Sequence, residues 1–133
     1  MKVDGRCHCG NISYEAEVDP ETVGICHCTD CQRLTGTAYR TTVRAPAAGF
    51  VLKGGTPTIY IKTGESGTRR AHAFCPICGT PIYAAAPVDP NVYSLRIGAI
   101  EQRAQLGPRR RAWCRSALPW SQGLRDLPRF DRQ

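Results

Sequence analysis

Residues 75–79 read CPICG and residues 7–10 read CHCG, and these two short stretches decide the fold. Each stretch sets two cysteines close together and ends in a glycine. Cysteine pairs on tight turns commonly need such a residue, because the backbone N–H groups curl towards the sulfurs and φ can become positive. Zinc binds thiolates tetrahedrally at roughly 2.3 Å, and closely spaced cysteines are its commonest signature. We therefore predict one closed, structural zinc site with four ligands: Cys7, Cys9, Cys75 and Cys78.

A third cluster, residues 26–31 with the sequence CHCTDC, supplies three more cysteines. Cys26, Cys28 and Cys31 would hold a second zinc whose fourth position is open to water or to a substrate thiol. A closed zinc site is structural, whereas a site with an open position is where zinc does chemistry. Spacing alone leaves two alternatives open: the triplet could be completed by another cysteine, or the thiols could be buried without metal.

The three histidines and the eighth cysteine lie near these clusters but fit them less well as ligands. His27 stands between two ligands, and the local alternation turns it away from the metal, so we expect it on the surface or behind the ligands. His8 has the same position within the first pair. His72 precedes the Cys75 pair and is expected to be a strand residue. Cys114 is expected to be a buried packing thiol, with a role as fourth ligand of the second zinc as the alternative.

Length and composition predict one zinc-binding domain over residues 1–133 with a modest hydrophobic core. No apolar run approaches the roughly 18 residues of a membrane span. The first residues lack the apolar stretch of a signal peptide, so we expect a cytoplasmic protein that does not bind membranes. Thiols stay reduced in that compartment, which favours metal ligation over disulfides.

The net charge of +7 must be corrected for the metal sites. Seven thiolates and two Zn²⁺ ions add about −3, which leaves roughly +4, because ligating thiols are deprotonated. An anionic small substrate suits this charge as well as a polynucleotide does, and a solvated basic surface is the simplest alternative. The aromatic residues do not interleave with the basic ones, which makes nucleic acid an unfavoured partner. Much of the basic charge lies towards the C-terminus: Arg109, Arg110, Arg111, Arg115, Arg125, Arg129 and Arg132.

Short stretches of alternating or apolar residues, punctuated by glycine and proline, predict an all-β domain. A helical turn is expected only at residues 30–34, with Thr29 as its N-cap. The tail from Leu118 is interrupted by prolines and a glycine and should pack as irregular coil. The predicted strands cover residues 12–17, 37–43, 50–52, 58–61, 70–74, 81–84 and 91–97.

Three segments resemble, in order, the glutathione-dependent formaldehyde-activating enzyme family, which includes centromere protein V. They are GRCHCGNISY at residues 5–14, CHCTDCQRLTG at residues 26–36 and FCPICGTPIY at residues 74–83. The tail segments ALPW and LPRF also resemble the family's C-terminal stretch. The resemblance implies a mainly β, tent-like fold of two small antiparallel sheets stapled by zinc, with little helix, as in zinc-containing methionine sulfoxide reductases.

The resemblance also implies two Zn²⁺ ions per chain. The second of them is expected to be labile, because a site with only three thiolates can lose its zinc. The family's structural zinc positions match Cys7, Cys9, Cys75 and Cys78, and its second, catalytic zinc positions match Cys26, Cys28 and Cys31. The implied activity is that of a carbon–sulfur lyase, which interconverts S-hydroxymethylglutathione with glutathione and formaldehyde; the partner is then a small thiol such as glutathione.

Two other classes of function remain open from the sequence. One is a non-catalytic, zinc-stapled module that binds a thiol ligand, a protein or nucleic acid. The other is redox chemistry, which needs a free reactive cysteine, and only Cys114 is available for it.

Overall fold

The computed structural model describes residues 1–132 as a mainly β structure, and this confirms the predicted fold class. The single α-helix in that range is short, and six 3₁₀ turns complete the described chain. In chain order the strands and helix are β1 (Lys2–Arg6), β2 (Ser13–Glu17), β3 (Asp19–Cys26), α1 (Thr29–Thr35), β4 (Arg40–Pro46), β5 (Phe50–Gly54), β6 (Thr58–Thr63), β7 (Arg69–Phe74), β8 (Pro81–Ala85), β9 (Val92–Arg96) and β10 (Arg110–Ala112). The 3₁₀ turns are Ala47–Gly49, Ile97–Ala99, Arg103–Gln105, Cys114–Ser116, Pro119–Gln122 and Leu124–Asp126.

The strands form two sheets of different size. The smaller sheet has three strands in the order β1-β2-β5, and the larger has seven in the order β10-β3-β4-β9-β8-β7-β6. Every neighbouring pair is antiparallel except β10 and β3, which run parallel at one edge of the larger sheet. The larger sheet therefore departs in one pair from the purely antiparallel arrangement that the resemblance implies.

The hydrophobic core lies between the two sheets. Phe50 of the smaller sheet stacks on Tyr93 of the larger at 4.4 Å between ring centroids, and it also contacts Tyr14 and Tyr83. The Tyr14 ring lies directly over Gly5, its partner on β1, where a Cβ atom would overlap the ring. A glycine at this position thus lets the largest buried side chain of the core reach its place.

The other face of the larger sheet is polar. Side chains of directly paired residues share a face, since successive side chains of a strand alternate. Tyr60 pairs with His72, and Thr42, two residues after Arg40, pairs with Arg96. Helix α1 lies across this face, because Asp30 Oδ2 accepts from Lys62 Nζ of β6 at 2.8 Å. The polar side chains that face α1 are Arg40, Tyr60, Lys62, His72 and Arg96.

Each predicted strand overlaps an observed one, although the strand expected at residues 37–43 begins only at Arg40. The sequence pattern does not reveal β1, β10 or most of β3. The predicted helical turn is present, but Thr29 is not its N-cap. Cys28 caps the helix instead, because its Sγ accepts from the Cys31 backbone N–H at 3.3 Å.

The C-terminal tail is more regular than expected. The prediction of irregular coil from Leu118 onwards is wrong for Pro119–Gln122 and Leu124–Asp126, which form 3₁₀ turns. Proline at the start of the first turn lacks the N–H that would be left unpaired there, so it favours the turn rather than preventing it. Within residues 1–132, no helix has the length and apolar character needed to cross a membrane.

Candidate metal centres and an adjacent pocket

Two turns of similar geometry build the first cysteine cluster. In the turn after β1, Cys7 N–H donates to Ile12 O at 3.0 Å, and Gly10 N–H donates to Cys7 O at 3.1 Å with Gly10 at φ +82°. The turn after β7 repeats this pattern, with bonds from Cys75 N to Thr80 O at 3.0 Å and from Gly79 N to Cys75 O at 2.9 Å, and with Gly79 at φ +75°. The positive φ angles are the reason why each turn ends in glycine.

These two turns bring four sulfurs together, one from each of Cys7, Cys9, Cys75 and Cys78, all within 4.8 Å of one another. Cys9 Sγ lies 3.6 Å from Cys7 Sγ and 3.7 Å from Cys75 Sγ. Tetrahedral ligation at roughly 2.3 Å requires sulfur–sulfur separations of about 3.8 Å, so the four thiols fit one zinc-sized ion. The cluster could therefore hold a metal ion.

Hydrogen-bond donors around this cluster favour the thiolate form that a metal requires. Ile12 N–H donates to Cys7 Sγ at 3.2 Å, and Ile77 N–H donates to Cys75 Sγ at 3.4 Å. The Thr80 hydroxyl, 3.2 Å from Cys78 Sγ, is the main cause that lowers the pKa of Cys78 to about 5. Backbone donors of this kind stabilise negative sulfur in a largely buried site.

The second cluster is formed by Cys26, Cys28 and Cys31, whose sulfurs also lie within 4.8 Å of one another. Cys26 ends β3, Cys28 caps α1 and Cys31 lies in its first turn, so one short segment supplies all three. A hydrogen bond with Cys26 is the largest cause that lowers the pKa of Cys31 to about 5, with Cys28 and the Arg40 charge adding to it. The same contact, together with burial, raises the pKa of Cys26. All three residues are partly exposed, so this three-thiol group could hold a metal ion and still admit another ligand.

The remaining candidates fall outside both clusters. His8 is exposed and His72 lies in β7, as expected. His27 lies outside the cluster and is only 2 % exposed, so of its two expected positions it takes the one behind the ligands and not the one on the surface; it packs edge-on against Tyr39. Cys114 is exposed and joins neither cysteine group, which corrects the expectation of a buried thiol and gives no support to its role as a fourth ligand.

A cavity of about 340 Å³ lies on the polar sheet face next to the three-thiol cluster. We call it the arginine pocket; its walls are Leu34, Arg40, Tyr60, His72 and Arg96, together with Ala73, Phe74, Gly79 and Pro81. Leu34 lies one helical turn after Cys31, and Arg40 pairs with Cys26 across β3 and β4. The pocket is thus adjacent to the cluster on two sides.

Two buried arginines, which the sequence analysis missed, dominate this pocket. Arg40 is 5 % exposed and Arg96 is 7 % exposed, and the Nε atom of each is buried without a hydrogen-bond partner. Burial, followed by the charge of Arg40, lowers the pKa of Arg96 to about 9. The sequence offered little signal for them, because Arg40 and Arg96 are terminal residues of β4 and β9, and β4 also contains the exposed Arg44.

His72 takes part in this arrangement as a neutral side chain. Arg96 Nη2 lies 3.1 Å from His72 Nδ1, and a guanidinium can only donate, so Nδ1 accepts and Nε2 carries the proton. Burial is the main cause that lowers the pKa of His72 to about 4, and the charges of Arg96, Arg40 and Lys62 act in the same direction. At neutral pH, His72 therefore adds a donor to the pocket but no charge.

The ion pair between Lys62 and Asp30 holds α1 above these residues. It lowers the pKa of Asp30 and raises the pKa of Lys62, so both side chains are charged over the ordinary pH range. Because Asp30 is bound to Lys62, it is not free to neutralise the buried arginines. Within residues 1–132, neither Arg40 nor Arg96 forms a salt bridge.

Comparison with known proteins matches this chain to one family and to the fold of a solved structure. A family model described as "Glutathione-dependent formaldehyde-activating enzyme" matches residues 2–116. A crystal structure of a Rhodobacter sphaeroides protein is similar in fold, with a TM-score of 0.63 and 22 % sequence identity. That similarity covers 84 % of this chain and 100 % of the other.

Proposed function

The chain belongs to the glutathione-dependent formaldehyde-activating enzyme family, and from that premise we propose that it is a zinc-dependent carbon–sulfur lyase. Its substrate would be the adduct of a thiol with a small aldehyde, of which S-hydroxymethylglutathione is the family's example. The observation that carries the proposal is the partly exposed three-thiol cluster beside a pocket with buried positive charge. We take residues 1–133 as one domain that performs this function.

We assign the two clusters different roles. Cys7, Cys9, Cys75 and Cys78 would hold a structural zinc, because they form a complete tetrahedral set with two largely inaccessible sulfurs. The group of Cys26, Cys28 and Cys31 would hold the second zinc with one position left for the substrate. When bound there, zinc would supply Lewis acidity that lowers the pKa of a thiol or water in its fourth position.

The protein's own residues would then bind and orient the adduct. In the lyase direction the adduct's hydroxyl loses its proton, a C=O bond forms, the C–S bond breaks and the thiolate leaves. The positive charge of Arg40 beside Cys31 favours negative sulfur at this place. His72 lines the same pocket and, as a neutral donor through Nε2–H, can bind the part of the adduct that enters this pocket without becoming charged itself.

The proposal is tested by measuring the exchange between glutathione plus formaldehyde and their adduct, using magnetization-transfer NMR with zinc-loaded protein. The wild type should raise the exchange rate above that of the uncatalysed reaction. Cys28→Ser should remain folded, lose one zinc in native mass spectrometry and lose the acceleration. Cys114→Ser is the matched control, since this exposed thiol lies outside both clusters, and it should retain both zinc and activity.

One result would reject the lyase. If the wild type carries two zinc ions and the exchange rate equals that of the reagents alone, the three-thiol cluster is not catalytic. The protein would then be a zinc-stapled binding module.

A further inference from the structure

We infer that the arginine pocket binds one isolated carboxylate, so that the thiol substrate is an acid with no ammonium group beside that carboxylate. This inference rests on the proposed function, which supplies the claim that the substrate is a thiol, and it adds the class of thiol. It concerns the part of the substrate that does not react.

The first argument is that, within residues 1–132, no carboxylate pairs with the two buried guanidinium groups, although the charge of Arg40 also acts on Cys31. Arg40 and Arg96 are nine-tenths or more buried, and each has an unpartnered Nε atom. Among the described residues, no acidic side chain lines the pocket, and the neighbouring Asp30 is already bound to Lys62 at 2.8 Å. Buried charge is costly unless it is paired and hydrogen-bonded, so this pocket is built for an anion.

The second argument is a charge balance, which also tests the simpler explanation that the arginines only neutralise the cluster. Three thiolates with one Zn²⁺ carry a net charge of about −1. The two positive charges of Arg40 and Arg96 exceed this single negative charge. His72 adds no charge, because its Nδ1 accepts a hydrogen bond from Arg96. With the adduct bound, whose sulfur carries no charge, about one positive charge of the pocket lining therefore remains, which matches one carboxylate.

The third argument concerns which carboxylates fit. An α-amino acid brings an ammonium group beside its carboxylate, and the pocket offers that group no acid, while two guanidinium groups repel it. A carboxylate alone meets only donors: the two arginines and Nε2–H of His72. For a peptide thiol such as glutathione, the glycyl end satisfies this condition, and the γ-glutamyl end does not.

The fourth argument is position. Cys31 and Leu34 lie one turn apart on the same side of α1, and Cys26 is the strand partner of Arg40. A small molecule can therefore place its thiol at the cluster and its carboxylate in the pocket. The apolar wall formed by Leu34, Phe74 and Pro81 lowers the local dielectric and strengthens the ionic contact.

The test compares small thiols of similar size. We would measure binding by isothermal titration calorimetry, and the kcat/KM of adduct exchange, for 3-mercaptopropionate, its neutral amide and the cation cysteamine. The acid should be favoured over the amide by on the order of tenfold to a hundredfold, as is usual for charge-assisted hydrogen bonds, with cysteamine last. N-acetylcysteine should likewise be favoured over zwitterionic cysteine.

Variants locate this preference within the pocket. Arg96→Lys and Arg96→Met should reduce the ratio of acid to amide, with the larger loss for methionine. Arg44→Met is the matched control. Arg44 is on the same strand and the same face as Arg40, but it is exposed and lies four residues further along the strand. It should keep the full preference. Circular dichroism checks that each variant is folded, and the wild-type thiol series tests the inference without any variant.

Each outcome has a defined meaning. Equal kcat/KM for the acid and the amide, with clear exchange activity on both, overturns the carboxylate pocket and leaves the lyase intact. Selective binding of the acid without any exchange activity supports the pocket and rejects the lyase. Propionate, which lacks a thiol, should compete weakly with 3-mercaptopropionate. If inorganic phosphate binds as tightly as the mercapto acid, the pocket serves a free anion, and our assignment to the substrate is wrong.

Discussion

Replacing Cys75 by serine should remove most of the protein's stability. Cys75 is fully buried and supplies one of the four sulfurs that join the turn after β1 to the turn after β7. The cluster closes a loop between Cys9 and Cys75, which are 66 residues apart. A cross-link across such a loop stabilises by about 4 kcal/mol in the chain-entropy treatment used for disulfides.

That magnitude decides the expected result. Domains of this size are stable by only about 5–15 kcal/mol, and structural zinc binding adds directly to the folding free energy. A loss of about 4 kcal/mol or more should leave Cys75→Ser aggregated or largely unfolded at 37 °C. Cys28→Ser serves as the comparison, because the three-thiol cluster joins only residues within a single short segment and closes no long loop.

The assay combines urea titration, followed by tryptophan fluorescence, with zinc content measured by native mass spectrometry. We expect the unfolding midpoint of Cys75→Ser to fall far below that of the wild type, and that of Cys28→Ser to stay near it. Equal losses in the two variants would refute the division into a structural and a substrate-facing site.

Three further predictions follow from the geometry. Gly5→Ala should destabilise by about 1–3 kcal/mol, because its Cβ atom overlaps the Tyr14 ring, whereas Gly98→Ala, with open space around it, should change the urea midpoint little. His72 has a folded-state pKa of about 4, below its usual value of about 6.5, so the unfolded chain binds a proton first and the stability from this group is lost as pH falls between those values. The wild type should therefore lose its advantage over His72→Gln in urea titrations across that pH range. A chelator of moderate affinity should remove the zinc of the three-thiol cluster first, and the near-ultraviolet circular dichroism should then stay unchanged. The protein should unfold only when the zinc of the four-cysteine cluster is also removed.

The cysteine grouping could be predicted because the two pairs have similar local sequences, although spacing alone left another partition open. The turns at residues 7–10 and 75–79 carry the same glycine and the same hydrogen-bond pattern, so their likeness in sequence reflects a likeness in geometry. The three-thiol group was equally accessible, since one continuous segment supplies all its members. Local rules also gave most of the strands.

The arginine pocket could not be predicted in this way. Arg40 and Arg96 meet only through the pairing of β4 with β9, more than fifty positions apart, and His72 reaches them from β7. Sequence reasoning placed the useful basic charge in the C-terminal arginines, which are all exposed. A charged side chain indicates a binding site when it is buried, and which arginines are buried depends on the order of the strands in the sheet.

Two single-residue findings have local physical causes. The helix cap falls on Cys28 rather than on Thr29, because the thiol occupies the capping position that a hydroxyl usually takes. His27 is not at the surface, the first of its two expected positions, because the chain around Tyr39 and Gln122 covers that side; it lies behind the ligands, the second.

The distance along the chain between the two cysteine turns also determines the order in which the two clusters can bind metal during translation. During translation, Cys9 leaves the ribosome 66 residues before Cys75, and Cys7 leaves it earlier still; 66 residues correspond to roughly 3 to 13 s at usual elongation rates. Throughout that interval they are unpaired thiols, open to oxidation or to capture by the wrong metal. The segment from Cys26 to Cys31 emerges complete within that interval and can take up an ion at once. The group of three cysteines is therefore the first that can bind an ion, and the group of four, which joins the turns after β1 and β7, is the last.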